Sequence, residues 1–320
     1  MGTRLSIGSG GRRFELDGRP TFLLGASYYA GLGAPEEFIR SDLADLRRAG
    51  FNWIRVWATW GAFDHNVSAF DADGDPREPY FERLLWLCEQ ADRLGMVVDV
   101  TLSRGNGVAS AGLPPSDEAH LGAAGSLAEQ LRPFRNVYID AGNERNVDDA
   151  RHVPIALVRQ LRDRIKQADP DRLVTASHAG DIEPDHVLSY LTRAKVDFLA
   201  PHRPRNASSP GQTRQKCANL RHRAERLGRP VPVHYQEPMR RGFAPWQPEV
   251  EDFLTDLAGA VAGGAAGWCL HNGHTFDQPD GRPRRSFDLR RREGRLIDQL
   301  EDAERTVLRK AGAIAAGEAN

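Results

Sequence analysis

The sequence has few cysteines and no long apolar run. Its three cysteines, Cys88, Cys217 and Cys269, are odd in number and widely spaced. This pattern excludes a disulfide framework and does not have the spacing of a zinc site. The start of the sequence lacks an apolar segment of signal-peptide length, and no run is long enough to span a bilayer. We therefore expect a cytoplasmic protein without a membrane segment, and secretion stays open if a leader has been trimmed.

An excess of charge is also missing. The 43 basic and 44 acidic residues give a formal net charge of −1. The protein therefore has no large net charge that would attract nucleic acid or a membrane surface, and we expect neither as a partner. Lysine is scarce, with Lys166, Lys195, Lys216 and Lys310 the only examples. A hydrophobic content of 40% is sufficient for a large core.

Apolar, β-prone segments alternate with helical patterns along the chain. The predicted strands are residues 22–26, 52–57, 96–102, 137–141, 173–177, 196–201, 231–236 and 267–271. Helices are predicted at residues 35–49, 80–94, 149–168 and 296–311. Such continuous apolar strands, separated by helices, are typical of a parallel sheet that is covered on both faces. The pattern predicts an α/β fold, a single (β/α)₈ TIM barrel over residues 1–320. The Asp17-Gly18 pair predicts a short N-terminal β-hairpin that plugs one end of the barrel.

The long connections follow the predicted strands rather than the helices. They cover residues 61–79, 103–116, 202–213 and 272–287. Loops of this length in a compact domain are usually functional, and barrel enzymes build their active sites from the loops after the strands.

Two glutamates end predicted strands. Glu144 follows strand four and Glu237 ends strand seven, 93 residues (237 − 144) further along. A barrel of this kind uses about 31 residues per unit, so the two lie about three units apart on the same edge. Each glutamate alone could be a structural, salt-bridged carboxylate. Two carboxylates that face each other across a cleft are the minimum for cleaving a glycosidic bond.

The segment Asp140-x-x-Asn143-Glu144 resembles the Glu-x-x-Asn-Glu signature of clan A glycoside hydrolases, which include family 5 and its cellulase-like members. The resemblance implies that Glu144 is the acid/base and that Asn143 binds the sugar 2-hydroxyl. It implies that Glu237 is the nucleophile and that Arg55, on strand two, holds it ionised.

The resemblance extends to two further strands. His202 matches a strand-six histidine, and Trp268 matches the strand-eight tryptophan that floors the first sugar subsite. The sequence departs from the family pattern in two places. Arg145 replaces the proline that often follows the acid/base, and Arg203-Pro204 stands where a tyrosine usually contacts the nucleophile.

The implied activity is the hydrolysis of a β-linked glycan with retention, without a cofactor. Retaining enzymes hold their two carboxyl groups about 5–5.5 Å apart. Arg55 is expected to lower the pKa of Glu237, and the neighbouring negative charge is expected to raise the pKa of Glu144.

Other residues near strand ends are candidates for binding the sugar. Trp57 and Trp60 could stack on a sugar ring or pack in the barrel wall. Tyr28 and His271 are further candidates for substrate binding. Six arginines just after strands would favour an anionic sugar such as a uronic acid, if they cluster; they are Arg104, Arg145, Arg203, Arg205, Arg240 and Arg241.

Two alternative functions are considered. Histidines crowd the later strand ends and, with the two glutamates, could form the metal site of a sugar isomerase or hydrolase; they are His178, His202, His234, His271 and His274. No His-x-His follows strand one, so we expect no metal. The second alternative is a catalytically silent barrel that only binds carbohydrate.

Overall fold

A computed structural model describes residues 2–104, 116–274 and 284–317. Most of the predicted connections 103–116 and 272–287 therefore lies outside the described residues. The strands in chain order are β1 (Leu5–Ile7), β2 (Phe14–Leu16), β3 (Arg19–Thr21), β4 (Leu23–Ser27), β5 (Trp53–Trp57), β6 (Gly61–Ala62), β7 (His65–Asn66), β8 (Val97–Thr101), β9 (Val137–Asp140), β10 (Val174–Thr175), β11 (His234–Tyr235) and β12 (Gly267–Leu270).

The helices lie between and after these strands. They are α1 (Glu36–Arg48), α2 (Tyr80–Arg93), α3 (Asp117–Gln130), α4 (Ile155–Ala168), α5 (Pro184–Leu188), α6 (Ser209–Arg226), α7 (Val250–Gly263), α8 (Leu296–Gln299) and α9 (Asp302–Ala316). Among the described residues, no helix has both the length and the apolar character needed to cross a membrane.

The central sheet closes into a barrel. Seven parallel strands follow the order β10-β9-β8-β5-β4-β12-β11. Residues 196–202 complete the ring, because Pro201 forms a parallel bridge with His178 next to β10 and Leu199 forms one with Val233 next to β11. The predicted (β/α)₈ TIM barrel is confirmed.

The predicted N-terminal hairpin is also confirmed, as β2 and β3, with β1 added to its edge. Its turn places Asp17 at φ 52° and Gly18 at φ 77°, the left-handed conformation that an Asp-Gly turn favours. Phe14 is fully buried and meets Phe198 edge-on at 5.2 Å between ring centroids. The hairpin therefore plugs one end of the barrel, as predicted.

The helix limits follow the local sequence. The predicted helices at 35–49 and 80–94 correspond to α1 and α2. Helix α4 begins at Ile155 rather than near Asp149, because Pro154 stands at its N-cap position. The predicted last helix is divided, since Glu301 caps a new helix, α9, after α8 has ended.

The barrel interior changes from apolar to polar towards the carboxyl ends of the strands. Trp53 lies near the hairpin, and Gly25 leaves room for it: a Cβ at Gly25 would lie 1.8 Å from the Trp53 ring. Two residues further along β5, Arg55 pairs in register with Asp99 of β8. Residues two apart point to the same side of a strand. Strand β5 therefore places Trp53 against the N-terminal hairpin and Arg55 nearer the carboxyl end of the barrel.

Candidate active site

Arg55 is the centre of a buried charge network. Its side chain is fully buried, and its Nε donates to Asp99 at 3.0 Å. Its Nη2 donates to Asp140 at 2.8 Å and to Asn143 at 3.0 Å, while Nη1 donates to Glu237. One guanidinium therefore connects four strands and fixes the position of Glu237, since its planar fork binds several carboxylates at once.

Glu237 follows β11 and is almost completely buried. Arg205 Nη2 donates to its Oε2 at 2.9 Å. Nε2 of His271 lies 3.6 Å from the same oxygen. The Nδ1 of His271 lies 2.9 Å from the carbonyl of Pro238 and must donate to it, because a carbonyl only accepts.

Glu144 stands at the end of β9 in an uncommon backbone conformation, with φ at 44°. Such a conformation costs free energy for a non-glycine residue and is often found at active sites. The hydroxyl of Ser177 accepts from the Glu144 backbone N–H at 3.0 Å and supports the turn. Arg151 Nη1 donates to the carboxylate at 2.6 Å.

His202 lies between the two glutamates. Its Nδ1 is 3.3 Å from Glu144 and 3.4 Å from Glu237. Both neighbours accept hydrogen bonds, so Nδ1 carries a proton. The facing oxygens of the two carboxylates and a nitrogen of His202 all lie within 4.8 Å of one another. The carboxylates are thus close enough to act on one atom between them.

The surrounding donors keep both carboxyl groups ionised. Burial acts to raise the pKa of Glu144, but the hydrogen bond from His202 and the charge of Arg205 outweigh it and lower the pKa to about 2. Burial also opposes ionisation of Glu237, and His202 and Arg55 overcome it, so its pKa lies well below the ordinary value. The expected effect of Arg55 on Glu237 is present, whereas the expectation of a raised pKa for Glu144 is wrong for the free protein.

Arg205 and Arg240 both belong to this pocket. Arg205 Nη2 lies 3.3 Å from Glu144 and 2.9 Å from Glu237, and so bridges the pair. The guanidinium carbons of Arg205 and Arg240 lie 4.8 and 4.7 Å from the ring centroid of Phe243. Burial and the charge of Arg205 lower the pKa of Arg240 to about 10, while Glu237 and Glu144 oppose that shift.

Three of the other four predicted arginines lie in different ion pairs, and the fourth, Arg145, lies with its guanidinium carbon 5.6 Å from the ring centroid of Tyr190. Arg104 pairs with Asp117 at 2.8 Å. Arg203 is buried against Asp181, and Arg241 pairs with Glu301 at 2.6 Å. The predicted arginine cluster therefore reduces to Arg205 and Arg240 beside the carboxylates.

Of the two adjacent tyrosines after β4, the structure brings Tyr29 and not Tyr28 to the site. The hydroxyl of Tyr28 donates to Asp42 at 3.0 Å, which ties the strand to α1, so its predicted role in substrate binding is corrected. Tyr29 is buried, and its hydroxyl has no hydrogen-bond partner among the described residues. Burial, followed by the charge of Glu237, raises its pKa. Tyr29, which follows β4, is thus the tyrosine that lies beside the carboxylates.

Trp268 does not lie in the pocket. Its indole N–H donates to Asp256 of α7 at 2.7 Å, and the ring packs between the sheet and the helices. The prediction that it floors a sugar subsite is therefore corrected. Two later residues explain the difference: Cys269 faces the barrel interior near Ser27, and His271, two positions further on, reaches Glu237.

Trp57 and Trp60 form an aromatic wall beside Tyr29. Trp60 stacks on Tyr29 at 5.4 Å between centroids, and Trp57 meets Tyr29 edge-on at 5.4 Å. Each tryptophan is only 2% exposed. They therefore support Tyr29 and leave little ring surface for a sugar in this conformation.

The remaining histidines do not join the carboxylates. Nδ1 of His178 lies 3.1 Å from the hydroxyl of Tyr190. His234 lies inside the barrel, with Nε2 2.9 Å from the hydroxyl of Tyr138. His274 contacts Arg284 at 2.9 Å. Within the described segments, the cluster of possible metal ligands is Glu144, His202 and Glu237.

Sequence reasoning missed several contributors to the site. Arg151 and Ser177 hold Glu144 from a loop and from the end of the neighbouring strand. Arg151 carries no sequence signal, since loop residues follow no period, whereas Ser177 ends the predicted strand 173–177. Tyr29 could have been found, because it lies beside Tyr28 at the end of the same strand.

Comparisons with known proteins support the fold. The sequence matches no protein-family model and no curated protein. The solved structures with a similar fold include three glycoside hydrolases. A glycoside hydrolase family 5 mannosidase variant from Rhizomucor miehei, in complex with mannosyl-fructose, has a TM-score of 0.67 and 14% identity over 99% of this chain and 98% of its own.

The other two structures are longer than this chain. A putative glycoside hydrolase from Bacteroides vulgatus ATCC 8482 has a TM-score of 0.73 and 16% identity over 98% of this chain and 61% of its own. An exo-β-1,4-mannosidase from Opitutaceae bacterium strain TAV5 has a TM-score of 0.66 and 19% identity over 98% of this chain and 62% of its own. Along nearly its whole length, this chain thus shares the (β/α)₈ fold of these solved structures.

Proposed function

We propose that the protein is a retaining glycoside hydrolase that cleaves a β-linked glycan or glycoside. The observation that carries the proposal is the pair Glu144 and Glu237, whose facing oxygens lie within 4.8 Å at the carboxyl ends of barrel strands. Carboxyl groups this close suit a covalent double displacement, since an inverting enzyme needs about 6.5–9.5 Å to admit a water molecule. The shared fold of glycosidases supports the same reading.

In the first step, the Glu237 carboxylate attacks the anomeric carbon. The glycosidic C–O bond breaks, and Glu144 gives its proton to the departing oxygen. Arg55 suits Glu237 for attack because it holds the carboxylate ionised and in place. In the second step, Glu144 removes a proton from water, which attacks the same carbon and releases Glu237.

The first step needs a protonated Glu144. Arg151 and Arg205 both hold it ionised in the free protein. Substrate must therefore displace at least one of these cations before Glu144 can donate a proton. Arg205 is the better candidate, because it also contacts Glu237 and thus stands between the two carboxylates.

The same ion pairs favour a second candidate, a barrel that binds carbohydrate without cleaving it. In that case Arg205 would stay on both glutamates when sugar binds. The two candidates differ in turnover and not in binding.

The test is a panel of aryl β-glycosides and β-linked polysaccharides, with the first-formed product anomer followed by proton NMR. The proposal expects cleavage with the β-anomer formed first. Azide should rescue Glu144→Ala on substrates with good leaving groups and give a β-glycosyl azide. It should rescue Glu237→Ala only with inversion. Sugar binding by the native protein without turnover would support the silent barrel instead.

A further inference from the structure

Arg240 is a buried cation without a direct ion pair. It is 7% exposed, and it forms no ion pair with the carboxylates of residues 2–104, 116–274 and 284–317. Its Nε is buried and has no hydrogen-bond partner in the same part of the chain. Burying an unpaired charge is unfavourable, so a residue of this kind usually has a partner that is supplied from outside.

Several other arginines of this barrel are paired with carboxylates. Arg172 is 2% exposed and lies 2.9 Å from Asp169. Arg241, the next residue after Arg240, pairs with Glu301 at 2.6 Å and with Glu249 at 3.2 Å. Among the buried arginines of the described residues, Arg240 shares the lack of an ion pair with Arg145, which is 6% exposed and lies 5.6 Å from the ring centroid of Tyr190. Arg240 differs in lying beside Arg205, over the same ring of Phe243.

Aromatic rings hold this guanidinium in the pocket. Its central carbon lies 4.7 Å from the ring centroid of Phe243 and 4.8 Å from that of Phe287. Arg205 shares the ring of Phe243, at 4.8 Å. Of the two cations on this aromatic side chain, Arg205 contacts both glutamates, whereas Arg240 contacts no carboxylate of the described residues. A neutral sugar would leave Arg240 without a direct partner.

We infer that Arg240, together with Arg205, binds the carboxylate of a uronic acid residue in the substrate. This inference rests on the proposed function, because it concerns the sugar that the glutamates act on. A planar carboxylate matches the fork of a guanidinium, and Arg205 already binds carboxylates in this pocket.

The inference also accounts for the protonation of Glu144. A substrate carboxylate competes with Glu144 for Arg205, which lies 3.3 Å from it. When Arg205 turns to the substrate, a cation that keeps Glu144 ionised is withdrawn. The carboxyl group can then take up the proton that the first step requires.

The experiment compares matched aryl glycosides that differ only at C6. The pairs are the 4-nitrophenyl β-D-glucuronide and β-D-glucoside, and the corresponding galacturonide and mannuronide pairs. The native protein should prefer the uronide in at least one pair, with a kcat/KM ratio of about ten or more. Arg240→Met should lower that ratio about tenfold or more, and Arg240→Lys should lie between the two.

Arg309→Met is the matched control, since Arg309 is exposed on α9, far along the chain from the glutamates, and donates a hydrogen bond to Thr306. It should leave the ratio unchanged. Melting temperatures establish that each variant is folded, and if Arg240→Met is not, Arg240→Lys carries the comparison. The inference is overturned if the protein prefers the neutral glycoside in every pair and Arg240→Met or Arg240→Lys leaves the kcat/KM ratio unchanged. That result leaves the proposed function intact.

If the protein cleaves none of the pairs, that result counts against the proposed function. A binding measurement then tests the inference by itself. Calorimetry with sodium D-glucuronate, D-galacturonate and D-mannuronate, each against its neutral sugar, should show uronate binding that Arg240→Met abolishes. No uronate binding to the native protein overturns the inference. An Arg240-dependent preference for a 6-O-sulfated glycoside over the uronide overturns the assignment to a carboxylate.

Discussion

Arg205 Nη2 lies 3.3 Å from Oε1 of Glu144, the carboxyl group proposed to donate a proton. A cation at this distance stabilises the ionised form, and the pKa of Glu144 is lowered to about 2 despite the opposing effect of burial. The free protein therefore holds its proposed acid in the deprotonated state. Catalysis then depends on how substrate changes the contact between these two residues.

Arg205→Met should shift the pH–rate profile upwards. The basic limb of kcat/KM reports the loss of the proton from the acid of the free enzyme. Removing the cation raises the pKa of Glu144, so this limb should move up by about one pH unit or more. The acidic limb should also rise, because Arg205 contacts Glu237 at 2.9 Å.

The profile is measured with a substrate whose leaving group needs protonation. Arg205→Lys serves as control, since it keeps the charge and loses the fork. A profile that is the same in native protein and in Arg205→Met would show that Arg205 does not set the pKa of either glutamate.

The Arg55→Met variant should be less stable, and its Glu237 carboxyl group should ionise less readily. The substitution leaves the buried Asp99 and Asp140 without their cation, which typically costs about 3–5 kcal/mol. The pKa of Glu237 should rise, so the acidic limb of the pH–rate profile should move to higher pH.

The stability loss in Arg55→Met should also depend on pH. Burial raises the pKa of Asp99 to about 7, above its ordinary value of 3.8, and Arg55 opposes that shift. The folded state therefore binds more protons between these values, and stability falls as pH rises through this window. The melting temperature should drop more at pH 8 than at pH 5. A lower melting temperature with an unmoved acidic limb would assign Arg55 to structure alone.

Trp268→Phe should reduce stability with little effect on substrate binding. The indole N–H donates to Asp256, so the variant leaves that buried carboxyl group short of a donor, at a cost of about 1–3 kcal/mol. KM should stay within about twofold of the native value, a difference of about 0.4 kcal/mol, because the ring packs outside the pocket. Chemical denaturation and steady-state kinetics test both parts. A large rise in KM at unchanged stability would return Trp268 to the sugar subsite.

Activity should survive dialysis against EDTA. Glu144, His202 and Glu237 could hold a metal ion by distance. However, Arg205 already lies 2.9 Å from Glu237 and 3.3 Å from Glu144, so a second cation would be repelled. Complete loss of activity, restored by one divalent metal, would instead support the metal-dependent sugar isomerase or hydrolase.

The sequence was sufficient to predict the barrel and the closeness of Glu144 and Glu237, because strand ends in a parallel barrel share one edge. It was also sufficient for the contact between Arg55 and Glu237. It was not sufficient to predict that the Trp268 side chain points away from the pocket. A strand buried on both faces shows no alternation, so its pattern does not reveal which side chains point inwards.

Tyr28 and Tyr29 illustrate the same difficulty, since a shift of one position along a strand exchanges the two faces. Arg205 and Arg240 lie in loops, where no period exists. Their contacts with the glutamates follow from the tertiary packing of long side chains. The lowered pKa of Glu144 was missed because the hydrogen bond from His202 and the charge of the loop residue Arg205 outweigh burial and the neighbouring carboxylate.

The central claim is that Glu237 forms a covalent bond to the sugar. The most direct measurement uses the 2-deoxy-2-fluoro analogue of a cleaved aryl glycoside, which slows the second step, followed by peptide mass spectrometry. The account predicts one added sugar per protein, located on Glu237, with none on Glu237→Gln. A label on Glu144, or turnover of the parent glycoside with inversion and no adduct, would contradict it.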